Sequence, residues 1–131
     1  MRILIMEDDF TSQLLLHKLL EPYGKCDIVA NGWDAVEAFR LARSMGEPYS
    51  LLCLDIMVPG LDGQEVLRKI RELEAEREIL PGKGVKILMT TALMDGDNVL
   101  TAFRELCDGY LVKPIDRAKL LRNLRELALT E

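Results

Sequence analysis

Five short apolar runs punctuate the chain, at residues 3–6, 26–29, 51–54, 85–89 and 110–112. Each has the length of a strand, and apart from Asp27 and Lys86 the runs are continuous rather than alternating, the pattern of central parallel strands covered on both faces, with the second run the weakest. Between them, apolar residues recur at helical spacing. Leu15, Leu16, Leu19 and Leu20 form one stripe, Ala35, Ala38, Phe39 and Ala42 a second of mostly small residues, and Val66, Leu67, Ile70 and Leu73 a third. Val99, Leu100 and Phe103 make a shorter fourth, and Leu120, Leu121, Leu124 and Leu127 a fifth, with charges filling the other faces. Gly24, Pro59-Gly60, Asp62-Gly63 and Pro81-Gly82-Lys83-Gly84 stand where these elements should break.

Strand and helix therefore alternate five times. That order predicts a parallel sheet with right-handed crossovers, a doubly wound α/β domain of five strands and five helices. Such a sheet binds ligands beyond the carboxyl ends of its strands.

Composition narrows the picture. The 131 residues fit one domain, 1–131, and leave no room for a second. Nearly half the residues are apolar and few are aromatic, as in an ordinary globular protein. The net charge of −5 argues against direct nucleic acid binding or attachment to an anionic membrane, since both need a basic footprint. Cys26, Cys53 and Cys107 are odd in number and widely spaced, which fits a reducing compartment. The apolar start is too short for a signal peptide, and no apolar stretch approaches the roughly eighteen residues of a membrane span. A cytoplasmic protein is expected.

The chemistry gathers where the strands end. The first run is followed by Glu7-Asp8-Asp9, the third by Asp55, the fourth by Thr90-Thr91 and the fifth by Lys113-Pro114. In a parallel sheet all four sets share one rim. Crowded carboxylates are costly unless they share a cation, and hard oxygen ligands select Mg²⁺. A carboxylate beside Mg²⁺ can act as a nucleophile toward phosphorus. Lys113 and the Thr91 hydroxyl could then each hold one phosphoryl oxygen while the metal takes a third, so the set points to phosphoryl transfer.

At this point the chain resembles the receiver domains of response regulators. The matching stretches are Ile3-Leu4-Ile5-Met6-Glu7-Asp8-Asp9, Leu54-Asp55-Ile56-Met57-Val58-Pro59-Gly60-Leu61-Asp62-Gly63, Met89-Thr90-Thr91-Ala92 and Gly109-Tyr110-Leu111-Val112-Lys113-Pro114, with Asn31-Gly32 and Ala35 at the second helix. The resemblance runs the whole chain in order. It implies a flavodoxin-like sheet of order 2-1-3-4-5. It implies that Asp55 is the phosphorylation site, and that Asp8, Asp55 and the main-chain carbonyl of Met57 ligate Mg²⁺, with Glu7 acting mainly through metal-bound water. Thr91, which precedes Ala92, would be the switch hydroxyl, with Thr90 the other register. Tyr110 would be the aromatic that turns inward with it, and the Lys113–Pro114 bond would be cis.

The implied function is a phosphoacceptor switch rather than a turnover enzyme, with Mg²⁺-dependent self-phosphorylation and autodephosphorylation. Its donor would be a sensor histidine kinase or histidine phosphotransfer protein docking near the first helix. Its output would pass to a downstream effector protein, or to a second copy of the chain in a phosphorylation-dependent homodimer. Two rivals stay open: a haloacid-dehalogenase-type phosphatase, which wants an Asp where Met57 stands, and a binding module that keeps the fold without phosphorylation.

Two departures from the family matter. Met57 and Leu93 are apolar where in-line water must pass, so a phosphoryl lifetime longer than in chemotaxis-type receivers is expected. Residues 71–83 lengthen the third helix and its loop and read as a solvated extension of alternating charge. Other signals carry less. Asp95-Gly96-Asp97 lacks the rest of a calcium loop, and Gly82-Lys83-Gly84 precedes a strand rather than a helix, unlike a phosphate cradle. His17 reads as a surface or rim residue of the first helix, and Trp33 as a packing residue at a helix start.

Overall fold

The computed structural model describes residues 1–80, 82–92 and 106–130. The five predicted strands form as β1 (Arg2–Met6), β2 (Lys25–Val29), β3 (Leu51–Asp55), β4 (Lys86–Thr91) and β5 (Gly109–Val112). They build one parallel sheet in the order β2-β1-β3-β4-β5. The α-helices among the described residues are α1 (Phe10–Leu20), α2 (Gly32–Ser44), α3 (Gly63–Glu76) and α4 (Arg117–Glu126), and a 3₁₀ turn, Glu21–Tyr23, follows α1. The predicted helical segment at Val99, Leu100 and Phe103, Asp95-Gly96-Asp97 and Leu93 lie outside the described residues.

Each helix starts at a residue chosen for the purpose. Asp9, Asn31 and Asp62 accept the N–H groups of Ser12, Asp34 and Glu65, and Asp116 accepts that of Ala118, satisfying donors that have no partner within the helix. Asp9, the last of the acidic run after β1, is thus a helix cap, which leaves Glu7 and Asp8 for other work.

Alternation along the strands divides the core in two. Leu4, Met6, Leu52, Leu54, Ile87 and Met89 pack with Ala35 and Phe39 of α2 and with Val66, Leu67 and Ile70 of α3. On the other face Ile3, Ile5, Leu51, Cys53, Leu88 and Leu111 pack with Leu16 and Leu20 of α1 and with Leu120 and Leu124 of α4. One predicted stripe needs correction. In α1 only Leu16 and Leu20, one turn apart, are buried, while Leu15 is exposed because it lies well around the helix from the sheet.

The extension at 71–83 also differs from expectation. Residues 76–78 are exposed, but Glu74 is buried and Arg71 half-buried. The Arg71 guanidinium donates to Glu74 (2.7 Å), Asp108 (3.0 Å) and the carbonyls of Val85 and Leu106. Glu74 in turn accepts the Val85 N–H at 2.7 Å. The start of the extension is therefore a strut from α3 to the bases of β4 and β5.

Candidate functional site

The carboxyl ends of β1, β3 and β5 bring Glu7, Asp55 and Lys113 together. Lys113 Nζ donates to both Glu7 carboxylate oxygens, at 2.9 and 2.8 Å, and to Asp55 Oδ2 at 2.9 Å. Glu7 and Asp55 are buried. Asp55 Oδ1 accepts the Met57 N–H at 3.1 Å, so both of its oxygens are held. The Glu7 backbone is fixed as well, its N–H on the Val29 carbonyl and its own carbonyl accepting from the Gln13 amide at 2.6 Å. Asp8 is exposed at the rim, with one carboxylate oxygen within 4.8 Å of oxygens of Glu7 and Asp55.

Burial pushes the Glu7 carboxyl up to about 7, the hydrogen-bonded Asp55 adds to this and Lys113 opposes it. Burial lowers the Lys113 ammonium, but the bonds to Glu7 and Asp55 outweigh it and the net shift is upward. Two carboxylates around one lysine make the site net negative, and the exposed Asp8 makes it more so. Three carboxylates on one oxygen-rich rim fit a hard divalent cation, which would displace the lysine from part of its hold.

Sheet alternation explains the grouping. Glu7 continues the face of Ile3 and Ile5, Asp55 that of Leu51 and Cys53, and Lys113 that of Leu111. Thr90, on β4 opposite Asp55, continues the face of Leu88. Thr91 lies one residue further, at the carboxyl end of β4, and it too is buried. The Thr91 carbonyl accepts the Lys113 N–H at 2.7 Å, tying the ends of β4 and β5. Tyr110 is partly exposed on β5, and Met57 is 67% exposed at the mouth of the site. The Lys113–Pro114 bond is cis, as expected.

The β3–α3 loop is held from two sides. A side chain at Gly63 would strike the Asp55 carbonyl, and one at Gly32 would strike the Leu61 carbonyl, so α3 and α2 both start in backbone contact with this region. Trp33, 60% exposed, lies 3.1 Å from where a Cβ of Gly60 would stand, and packs on the loop rather than in the core.

One feature went unseen in the sequence. The pair of hydrogen bonds from Lys113 to Glu7 links residues 106 apart and has no local signal. Thr90, the other register for the switch hydroxyl in the sequence, is the strand partner of Asp55, and period-two alternation from Leu88 puts it on the Asp55 face.

A family model for the response regulator receiver domain matches residues 3–125. The chain is 35% identical over 120 residues to hybrid signal transduction histidine kinase L of Dictyostelium discoideum, covering 91% of this chain and 7% of that one. It is 34% identical over 128 residues to the transcriptional regulatory protein CusR of Escherichia coli K12, covering 97% of this chain and 51% of that one. It thus spans about half the length of that regulator and a small part of the kinase. Among solved structures it is similar to the receiver domain of a sensor histidine kinase of Pseudomonas aeruginosa PAO1, determined with a magnesium ion in the active site cleft. The TM-score is 0.76 at 30% identity, over 97% of both chains.

Proposed function

The chain belongs to the response regulator receiver family, a family of signalling switches, and from that premise we propose that Asp55 is its phosphoacceptor. The observation that supports this most is the shared grip of Lys113 on Asp55 and Glu7 at the carboxyl rim. A carboxylate held on both oxygens and buried beside a cation is positioned for attack on phosphorus. With a phosphohistidine donor, an Asp55 oxygen forms the new O–P bond, the P–N bond breaks, and the imidazole leaves and takes up a proton.

Asp8, Asp55 and the Met57 carbonyl would hold Mg²⁺, with Glu7 acting through water on the metal. The ion supplies charge neutralisation for the transferring phosphoryl oxygens. Lys113 stays within reach of one phosphoryl oxygen as its bond to Asp55 is exchanged, and the Thr91 hydroxyl holds another. Tyr110, on the edge strand β5, would follow Thr91 inward and change the exposed face of β5 and α4.

The donor is a sensor histidine kinase or a histidine phosphotransfer protein, and the readers are a downstream effector protein or a second copy of the chain. Phosphorylation from small phosphodonors and slow autodephosphorylation are self-reactions of the switch. The switch works in the cytoplasm, the reducing compartment that an odd set of widely spaced cysteines suits. Incubation with Mg²⁺ and acetyl phosphate tests the reading. The wild type should gain one phosphoryl group by intact mass and Asp55→Asn should gain none. Turnover of the donor without a labelled protein would favour a phosphatase, and neither event would favour a silent module.

A further inference from the structure

Thr90 carries the one buried hydroxyl among the described residues that has no hydrogen-bond partner. It is 1% exposed, on the face of the sheet that carries Leu88 and Leu111. Burying a hydroxyl without a partner is unfavourable, and an isosteric valine would avoid the cost. Its position is specific. Thr90 is the register partner of Asp55 on one side and of Leu111 on the other. Strand β4 lies between β5, which carries Lys113, and β3, which carries Asp55. Strands are roughly 4.8 Å apart, so the Lys113 stem has to cross the end of β4 to reach Asp55 and Glu7, on the face that Thr90 occupies.

In this state Lys113 needs nothing from Thr90, because its three N–H donors are matched by two Glu7 oxygens and one Asp55 oxygen. That changes when a divalent cation claims carboxylate oxygens at the rim. We infer that Thr90 is a positioning residue: its hydroxyl accepts Lys113 Nζ when the cation displaces the ammonium from Asp55 and Glu7. The lysine is then kept over the phosphoacceptor instead of swinging to solvent. The hydroxyl proton in turn finds an acceptor in the carboxylate row. Thr90 acts through Lys113 and touches no reacting atom.

This inference rests on the phosphoacceptor reading, and three measurements on Thr90→Val and Thr90→Ser separate the two. Calorimetric Mg²⁺ titration should show about tenfold weaker binding for Thr90→Val, the size of one hydrogen bond to a charged group, and near-wild-type binding for Thr90→Ser. Thermal melting without metal should move the other way, with Thr90→Val melting a few degrees higher than wild type. The rate of phosphoryl gain from acetyl phosphate at saturating Mg²⁺ should fall in Thr90→Val and recover in Thr90→Ser. A Thr90→Val protein that binds Mg²⁺ and gains phosphoryl as the wild type does would overturn the inference while leaving the phosphoacceptor reading intact. So would one that melts lower without metal, since the hydroxyl would then already be bonded. A wild type that gains no phosphoryl group overturns the reading beneath it.

Discussion

Burial drives the Glu7 carboxyl up to about 7, with a contribution from Asp55 and against the pull of Lys113, and the sign of its effect on stability follows. The unfolded chain releases this proton near the ordinary value of 4.5, while the folded protein keeps it until about 7. Between these values the folded state binds more protons, so stability without metal should fall as pH rises from about 5 to about 8. Urea denaturation at several pH values reads this directly, and Mg²⁺, which favours the charged carboxylates, should flatten the slope. Lys113→Met tests the same charge balance from the other side. It leaves two buried carboxylates without their cation and should cost about 3 kcal/mol near pH 8, and much less near pH 5 where Glu7 is protonated. Asp55, Glu7, Asp8 and Lys113 were legible in the sequence because each follows an apolar run, where a parallel sheet gathers its chemistry. The pairing of Lys113 with Glu7 was not, because it depends on which strands become neighbours.

At the scale of elements, alternation of apolar runs and stripes was enough to place all five strands and the four described helices within a few residues. What it missed were interactions that cross between elements. The charges at 71–83 looked solvated because the partners of Arg71 are set by folding: Val85 and Leu106 carbonyls and the Asp108 carboxylate, up to 37 residues away. Arg71→Met should therefore destabilise the protein by about 3 kcal/mol, because it strands the buried Glu74 carboxylate, whereas Arg77→Met on the exposed turn should change stability by less than about 0.5 kcal/mol. Denaturant midpoints of the two variants make the comparison. Leu15 was misassigned to the buried stripe of α1 for a related reason. A run of three leucines fits more than one helical face, and only packing into the layer of Ile3 and Ile5 selects Leu16 and Leu20.

For the molecule as a whole, the site opens beside an exposed apolar patch at the start of α1, with Phe10 70% and Leu14 53% exposed. They lie four residues apart, on one side of the helix. A protein phosphodonor docking here would cover them, while a small donor would not. Phe10→Ser with Leu14→Ser should thus slow transfer from a phosphorylated histidine protein at least about tenfold and leave labelling by acetyl phosphate unchanged. Met57 at the mouth should shield the aspartyl phosphate from water, giving a lifetime well beyond seconds that Met57→Asn shortens. Phosphate release within seconds from the purified wild type would refute this shielding.

The carboxylate that carries the phosphoryl group decides how the switch works. The most direct measurement is borohydride reduction of protein phosphorylated with acetyl phosphate and Mg²⁺, followed by peptide mass spectrometry. An acyl phosphate on an aspartate is reduced to homoserine, so homoserine should appear at position 55 and nowhere else, and not at all when Mg²⁺ is left out. Homoserine at position 8 or 9, or a phosphorylated protein with an unmodified Asp55, would contradict this.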